Sequence, residues 1–141
     1  MDKYTVKQHV TRFFWLPRDV RRKHPTSFLR LVGIWLSVLV VGAGFTALGW
    51  DDEFGGSYLM AVMLVLYVAD DIVEGVRHRW PAALAAVAVL FGAARLTGAV
   101  LPGSLDAAWA ETFAAAVGVT LGLAVSAAIT RLPYRERPRM A

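Results

Sequence analysis

The residues with the clearest chemical potential in this 141-residue chain are charges set among apolar neighbours. Arg95 follows Leu90-Phe91-Gly92-Ala93-Ala94, and Glu111 is embedded in Ala107-Ala108-Trp109-Ala110-Glu111-Thr112-Phe113. An ionised side chain in such a setting is expensive unless it is paired or serves a ligand. Arg95 lies six positions before Leu101, about 9 Å along a helix at ~1.5 Å per residue. Glu111 lies five positions after Asp106, so antiparallel helices joined near residues 102–106 bring the two to similar depth. The spacing predicts an intramembrane charge pair that pins the register of two helices. The functional alternative is a polar path or a seat for an anionic or protonatable ligand, and both side chains are also long enough to snorkel to an interface.

A second cluster occupies Asp70-Asp71-Ile72-Val73-Glu74-Gly75-Val76-Arg77-His78-Arg79. At 100° per residue, Asp70, Asp71, Glu74, Arg77 and His78 share one side of a continuing helix, and Glu74 precedes Arg77 by three and His78 by four, the spacings at which helical side chains meet. Asp71, Glu74 and His78 offer oxygen and nitrogen donors for a divalent cation, so whether a metal binds stays open. The order Asp-Asp-x-x-Glu resembles the DDxxD motif of enzymes that bind magnesium-diphosphate substrates, in a chain too short for the large helical cavity such enzymes use. The plain alternative is a solvated helix end neutralised by its own arginines.

Other chemistry is missing from the sequence. His9, His24 and His78 are in three separate stretches and form no metal-binding motif, and there is no P-loop, dinucleotide fingerprint or G-x-S-x-G. With no cysteine, thiolate nucleophiles and disulfides are excluded. Ser37 and Ser126 have no neighbouring base to activate them. No catalytic residue and no cofactor is expected.

The elements that position these charges follow from composition. The chain is 57% hydrophobic and 18% charged, with a mean hydropathy of +0.49, richer in apolar residues and poorer in charge than ordinary soluble domains. Four segments have the ~20 apolar residues that a helix needs to cross a ~30 Å hydrocarbon core: about Phe28 to Gly49, Ser57 to Glu74, Pro81 to Leu101 and Ala107 to Thr130. The expected fold is all-α, a polytopic four-transmembrane-helix bundle (28–130) preceded by a basic segment (1–27) and followed by a basic tail (131–141). Short connections make consecutive helices antiparallel neighbours.

Charge sets the expected orientation. Lys3, Lys7, Arg12, Arg18, Arg21, Arg22, Lys23 and Arg30 precede the core of the first span, Arg77 and Arg79 lie in the second connection, and Arg131, Arg135, Arg137 and Arg139 lie in the tail. The first and third connections carry only Asp51, Asp52, Glu53 and Asp106. The positive-inside rule then places both termini in the cytoplasm and the protein in the cell membrane as a multi-pass chain. Trp50, Tyr58 and Trp109 fall at the expected outer boundary, and Trp15, Trp80 and Tyr134 at the inner one, as aromatic belts require.

Ahead of the first span, Val6, Val10, Phe13 and Phe14 recur on one helical face until Pro17. This predicts an amphipathic helix over about 4–15, lying in the inner interface. Arg18, Arg21, Arg22 and Lys23 form a basic cluster suited to anionic lipid headgroups, and no nucleic-acid motif accompanies it. In the fourth span Ala114, Gly118, Gly122, Ser126 and Thr130 repeat every fourth position, a small-residue ridge for close helix packing. Ala88 with Gly92, Ala94 with Gly98 and Gly42 with Thr46 offer matching surfaces. The residues favour a small integral membrane protein that acts non-enzymatically through helix–helix contacts, as an accessory subunit or homo-oligomer. A small ion or proton channel or transporter, with a path using Arg95/Glu111 and Asp70/Asp71/Glu74, is the alternative. A membrane enzyme with a carboxylate site at the cytoplasmic face is the weaker one.

Overall fold

The computed structural model describes residues 5–15, 23–49 and 55–133. Among them are five α-helices and no strand: α1 (Val6–Phe14), α2 (Phe28–Ala47), α3 (Gly56–Glu74), α4 (Arg79–Val100) and α5 (Ala107–Thr130). The last four are each long and apolar enough to cross a membrane.

Their ends follow local chemistry. Asp106 starts α5 by accepting hydrogen bonds from the N–H groups of Ala108 and Trp109 at 3.0 and 3.5 Å, which satisfies donors that a first helical turn leaves unpaired. Gly75 stops α3. At φ 75°, ψ 35° it is left-handed, and the Val76 N–H donates to the Asp71 carbonyl while the Gly75 N–H donates to the Ile72 carbonyl. That pair of bonds is a Schellman motif, and Val76, 2% exposed, tucks its side chain inward behind the turn. The α4 helix begins at Arg79, two residues before Pro81; a proline in the first turn gives up an N–H that has no intrahelical partner there.

The helices run up and down, with α3 and α5 across the short diagonal of the bundle. Each of these two touches every other long helix, whereas α2 and α4 do not meet. Burial follows the same plan: 44% of the apolar window of α5 is buried against 17% for α2 and for α4. The core is a column of Leu31, Val38, Met60, Leu64, Val68, Ile72, Ala86, Leu90, Val119 and Leu123. Large apolar side chains on the outer helices point away from it, including Val40, Leu84, Phe91 and Leu96.

The small-residue ridge of α5 faces inward. Ala114, Gly118, Gly122, Ser126 and Thr130 are all buried, and a methyl group added at Gly118 would stand 2.5 Å from the Leu90 carbonyl oxygen of α4. The matching surface on α4 keeps only Ala94 of the expected residues. Ala86, Leu90 and Ala94 receive the ridge, whereas Ala88 and Gly92 are exposed, and Gly92 and Gly98 have nothing near the position of a side chain. Because α4 is apolar all round, its sequence does not say which face turns inward. Gly42 and Thr46 do serve as a contact, admitting the first turn of α3 at Gly56.

Helix α1 packs on α3. Phe13 meets Trp80 edge-on, with ring centroids 5.3 Å apart, and Phe14 stacks on the same indole at 6.2 Å. Its first turn is closed by Gln8 Oε1, which accepts from the Thr5 N–H at 3.0 Å. Val6 and Val10 remain exposed.

Candidate functional site

Two polar regions sit at opposite ends of the bundle. The basic end gathers residues 23–27, the α3–α4 turn and the end of α5. The helix expected to continue through Arg77 and His78 does not do so, because Gly75 ends it. Asp70, Asp71, Glu74, Arg77 and His78 therefore form no single stripe. Asp70 is exposed, Asp71 is buried at 7% exposure, and Arg77 and His78 belong to the turn, with His78 itself left-handed at φ 54°.

What the turn produces instead is a clamp on the segment leading into α2. Glu74 forms an ion pair with Lys23. One turn before Asp71, the Tyr67 hydroxyl donates to the Thr26 hydroxyl at 3.3 Å. Arg131, just past α5, donates to the Thr26 carbonyl at 2.7 Å and to the Ala127 carbonyl at 2.9 Å. Arg79 donates to the Ile72 carbonyl at 2.6 Å, closing the last turn of α3 with a cation where the helix dipole is negative. Thr26, Tyr67, Arg79 and Arg131 were not singled out by sequence reasoning. The basic residues were visible only as an orientation signal, and Tyr67 only as part of an apolar run. Of the basic cluster, Lys23 is placed here; Arg18, Arg21 and Arg22 lie outside the described residues, as do Trp50, Asp51, Asp52, Glu53 and residues 134–141.

At the opposite end, α3, α4 and α5 leave an open groove of about 740 Å³. Arg95 and Glu111 both line it, so the structure brings together the two charges whose depth the sequence matched. Their direct pairing is not formed: among the described residues the ion pair is that of Lys23 with Glu74, and Arg95 and Glu111 are each exposed to the groove. The rest of its wall is mostly small or apolar, including Ala61, Ala94, Gly98, Ala110 and Ala114.

Two hydroxyl contacts tie α2 to α5. Thr46 and Thr112 hydroxyls are 2.5 Å apart and buried. Behind this contact, each hydroxyl also reaches a carbonyl one turn back in its own helix, Thr112 that of Ala108 at 2.8 Å and Thr46 that of Gly42 at 3.3 Å. Nearer the middle, the Trp35 indole N–H donates to the Thr120 hydroxyl at 2.9 Å, and Thr120 in turn donates to the Ala116 carbonyl at 2.7 Å. Each of these four polar groups is thus satisfied inside an apolar bundle, as burial demands.

Met60, Leu64, Leu90 and Val119, all essentially inaccessible, fill the space between the two polar ends. Among the described residues, no group of three or more His, Asp or Glu side chains is placed to hold a metal ion; Asp71, Glu74 and His78 do not converge as one. No protein-family model matches the chain, and no curated protein or solved structure compared with it matches.

Proposed function

We propose that this chain is a multi-pass protein of the cell membrane, with both termini in the cytoplasm, that acts without catalysis by associating with a second copy of itself through the α3/α4/α5 groove. The lipid setting is supported by four apolar helices whose outward faces carry Val40, Leu84, Phe91 and Leu96, and the orientation by the absence of Lys and Arg from the connections 50–55 and 102–106. In this setting α1 lies in the headgroup layer, with Val6 and Val10 directed into it.

The observation that carries self-association is the groove with one cation and one anion that do not pair with each other. A two-fold axis presents the same patch on both copies. It therefore sets Arg95 of each copy against Glu111 of the other, answering both charges at once. The small residues around them allow a neighbouring backbone to approach closely, which is what favours helix association where lipid removes the hydrophobic drive. The α5 ridge does not serve this purpose, because α4 already covers it. A channel through one copy would have to pass the layer of Met60, Leu64, Leu90 and Val119.

The test is the mass of the purified protein in neutral detergent. The unmodified chain is expected to run as a defined oligomer, Arg95→Glu as a single copy, and Arg95→Glu/Glu111→Arg as the oligomer again. An accessory role to a different membrane protein would appear instead as single-copy mass together with one co-purifying partner.

A further inference from the structure

At the basic end of the bundle, α1 carries an apolar stripe that the bundle leaves uncovered. Val6, Val10 and Phe14 recur at intervals of four, the spacing of one helical face, and are 81%, 54% and 65% exposed. Trp15, which ends the helix, is exposed as well. The ring contacts that tie α1 down are at its last turn, where Phe13 and Phe14 meet the Trp80 indole. The turns before it show their valines to the surroundings.

A helix this short needs more than that. Isolated helices below about 12–15 residues are marginal in water, and α1 has nine. Lys7 weakens it further, because it puts a cation in the first turn, where the helix dipole favours an anion, and no acidic residue stands there to answer it. Lys7 is exposed, and His9 and Arg12, the other ionisable residues of α1, are also basic. The first turn of α2, at the same end of the bundle, repeats the pattern. Phe28 and Leu29 are exposed there, and so is Arg30 beside them. Apolar side chains interleaved with bases, at the level where helices leave the hydrocarbon, match a leaflet surface that carries anionic headgroups. A protein seated on α1 would not need the same pattern at the start of α2, whereas a leaflet meets both.

We propose that α1 and the first turn of α2 form a docking surface for an anionic leaflet, whose charge sets how firmly α1 is folded. Val6 and Val10 enter the acyl boundary, Lys7 lies among the phosphates, and Phe13 and Phe14 close on Trp80. Anionic lipid in this way orders the segment that packs against the start of α4. The inference rests on the membrane-spanning reading, to which it adds the lipid class, and is separate from self-association, which uses the α3/α4/α5 groove.

The test is hydrogen–deuterium exchange of the full chain in nanodiscs at one copy per disc. One set holds phosphatidylcholine alone and the other includes phosphatidylglycerol with identical acyl chains. The amides of residues 10–15, which bond back along the helix, are expected to exchange roughly fivefold more slowly, or slower still, in the phosphatidylglycerol discs. Lys7→Gln should remove roughly fivefold of that protection and change nothing in phosphatidylcholine. Val10→Ser, which leaves helix propensity nearly unchanged, should speed exchange roughly tenfold in the phosphatidylglycerol discs by removing a buried apolar side chain. Both substitutions lie outside α2–α5, so slow exchange of the long helices in the same spectra shows that each variant is folded. Equal exchange of α1 in the two lipids, or indifference to Lys7→Gln or to Val10→Ser, overturns the proposal. Protection that requires two copies per disc, whatever the lipid, assigns the stripe to a second chain and overturns it too. Release of the chain from carbonate-washed membranes would instead remove the membrane-spanning reading, so the two failures are separately visible.

Discussion

The close approach of α5 to α4 at Gly118 makes a quantitative prediction. A methyl group there would lie 2.5 Å from the Leu90 carbonyl oxygen, 3.2 Å from Leu90 Cδ1 and 3.3 Å from Ala94 Cβ, where ordinary contact between heavy atoms is about 3.5–4.0 Å. The Leu90 methyl can turn aside; the carbonyl moves only if the α4 backbone moves. Gly118→Ala therefore requires α4 to withdraw by about 1 Å along its tightest seam, and overpacking of this kind costs about 1–3 kcal/mol. The carbonyl clash puts Gly118→Ala near the top of that range. Gly122→Ala, with the Ala86 carbonyl oxygen at 2.9 Å and Leu64 Cδ2 at 3.0 Å, falls in its lower half. Gly92→Ala, where nothing stands near the added methyl, should stay within about 0.5 kcal/mol of the unmodified chain. Reversible unfolding in mixed micelles, followed by far-ultraviolet circular dichroism, measures all three. If Gly118→Ala proves as harmless as Gly92→Ala, the inward-facing ridge is wrong and with it the seating of α5 on α4.

Gly75→Ala places a side chain at φ 75° and should cost about 1–2 kcal/mol, read by the same unfolding assay; no loss would mean that the α3–α4 turn is not left-handed there. Thr46→Val and Thr112→Val break a shared buried hydrogen bond, and a double-mutant cycle should return a coupling of about 0.5–1.5 kcal/mol, whereas strict additivity would deny the contact. Accessibility tags fused to the two termini should both report the cytoplasm, and opposite compartments would exclude an even number of crossings.

Much of this fold is legible in the sequence where the cause is local. The bounds of α5 follow from Pro102-Gly103, the Asp106 cap and Pro133, and those of α2 from the length of its apolar run. Gly75 was equally legible as a stop, since it follows the last residue of the apolar period and precedes the buried Val76. The stripe expected from Asp70 to His78 requires a helix that continues past Gly75, and the structure breaks it there. What the sequence cannot carry is rotation about a helix axis. Ala88 and Gly92 match the α5 ridge as well as Ala86 and Leu90 do by spacing alone, and the pairings Thr46–Thr112 and Trp35–Thr120 depend on how two uniformly apolar helices turn toward each other. The meeting of Arg95 and Glu111 in one groove was predictable from depth. Their failure to pair was not, because matched depth along two helices does not say how far apart two side chains lie across a groove.

Mixing two charge-reversed chains tests the association most directly. Arg95→Glu carries two acidic groups in the groove and Glu111→Arg two basic ones, so each meets like charge in a copy of itself, a juxtaposition that costs several kcal/mol. Combined in detergent in equal amounts, they should form a complex containing one chain of each kind, while each by itself stays a single copy. A mixture that remains two separate single-copy species, or an unmodified chain that is itself a single copy, would contradict the proposed self-association.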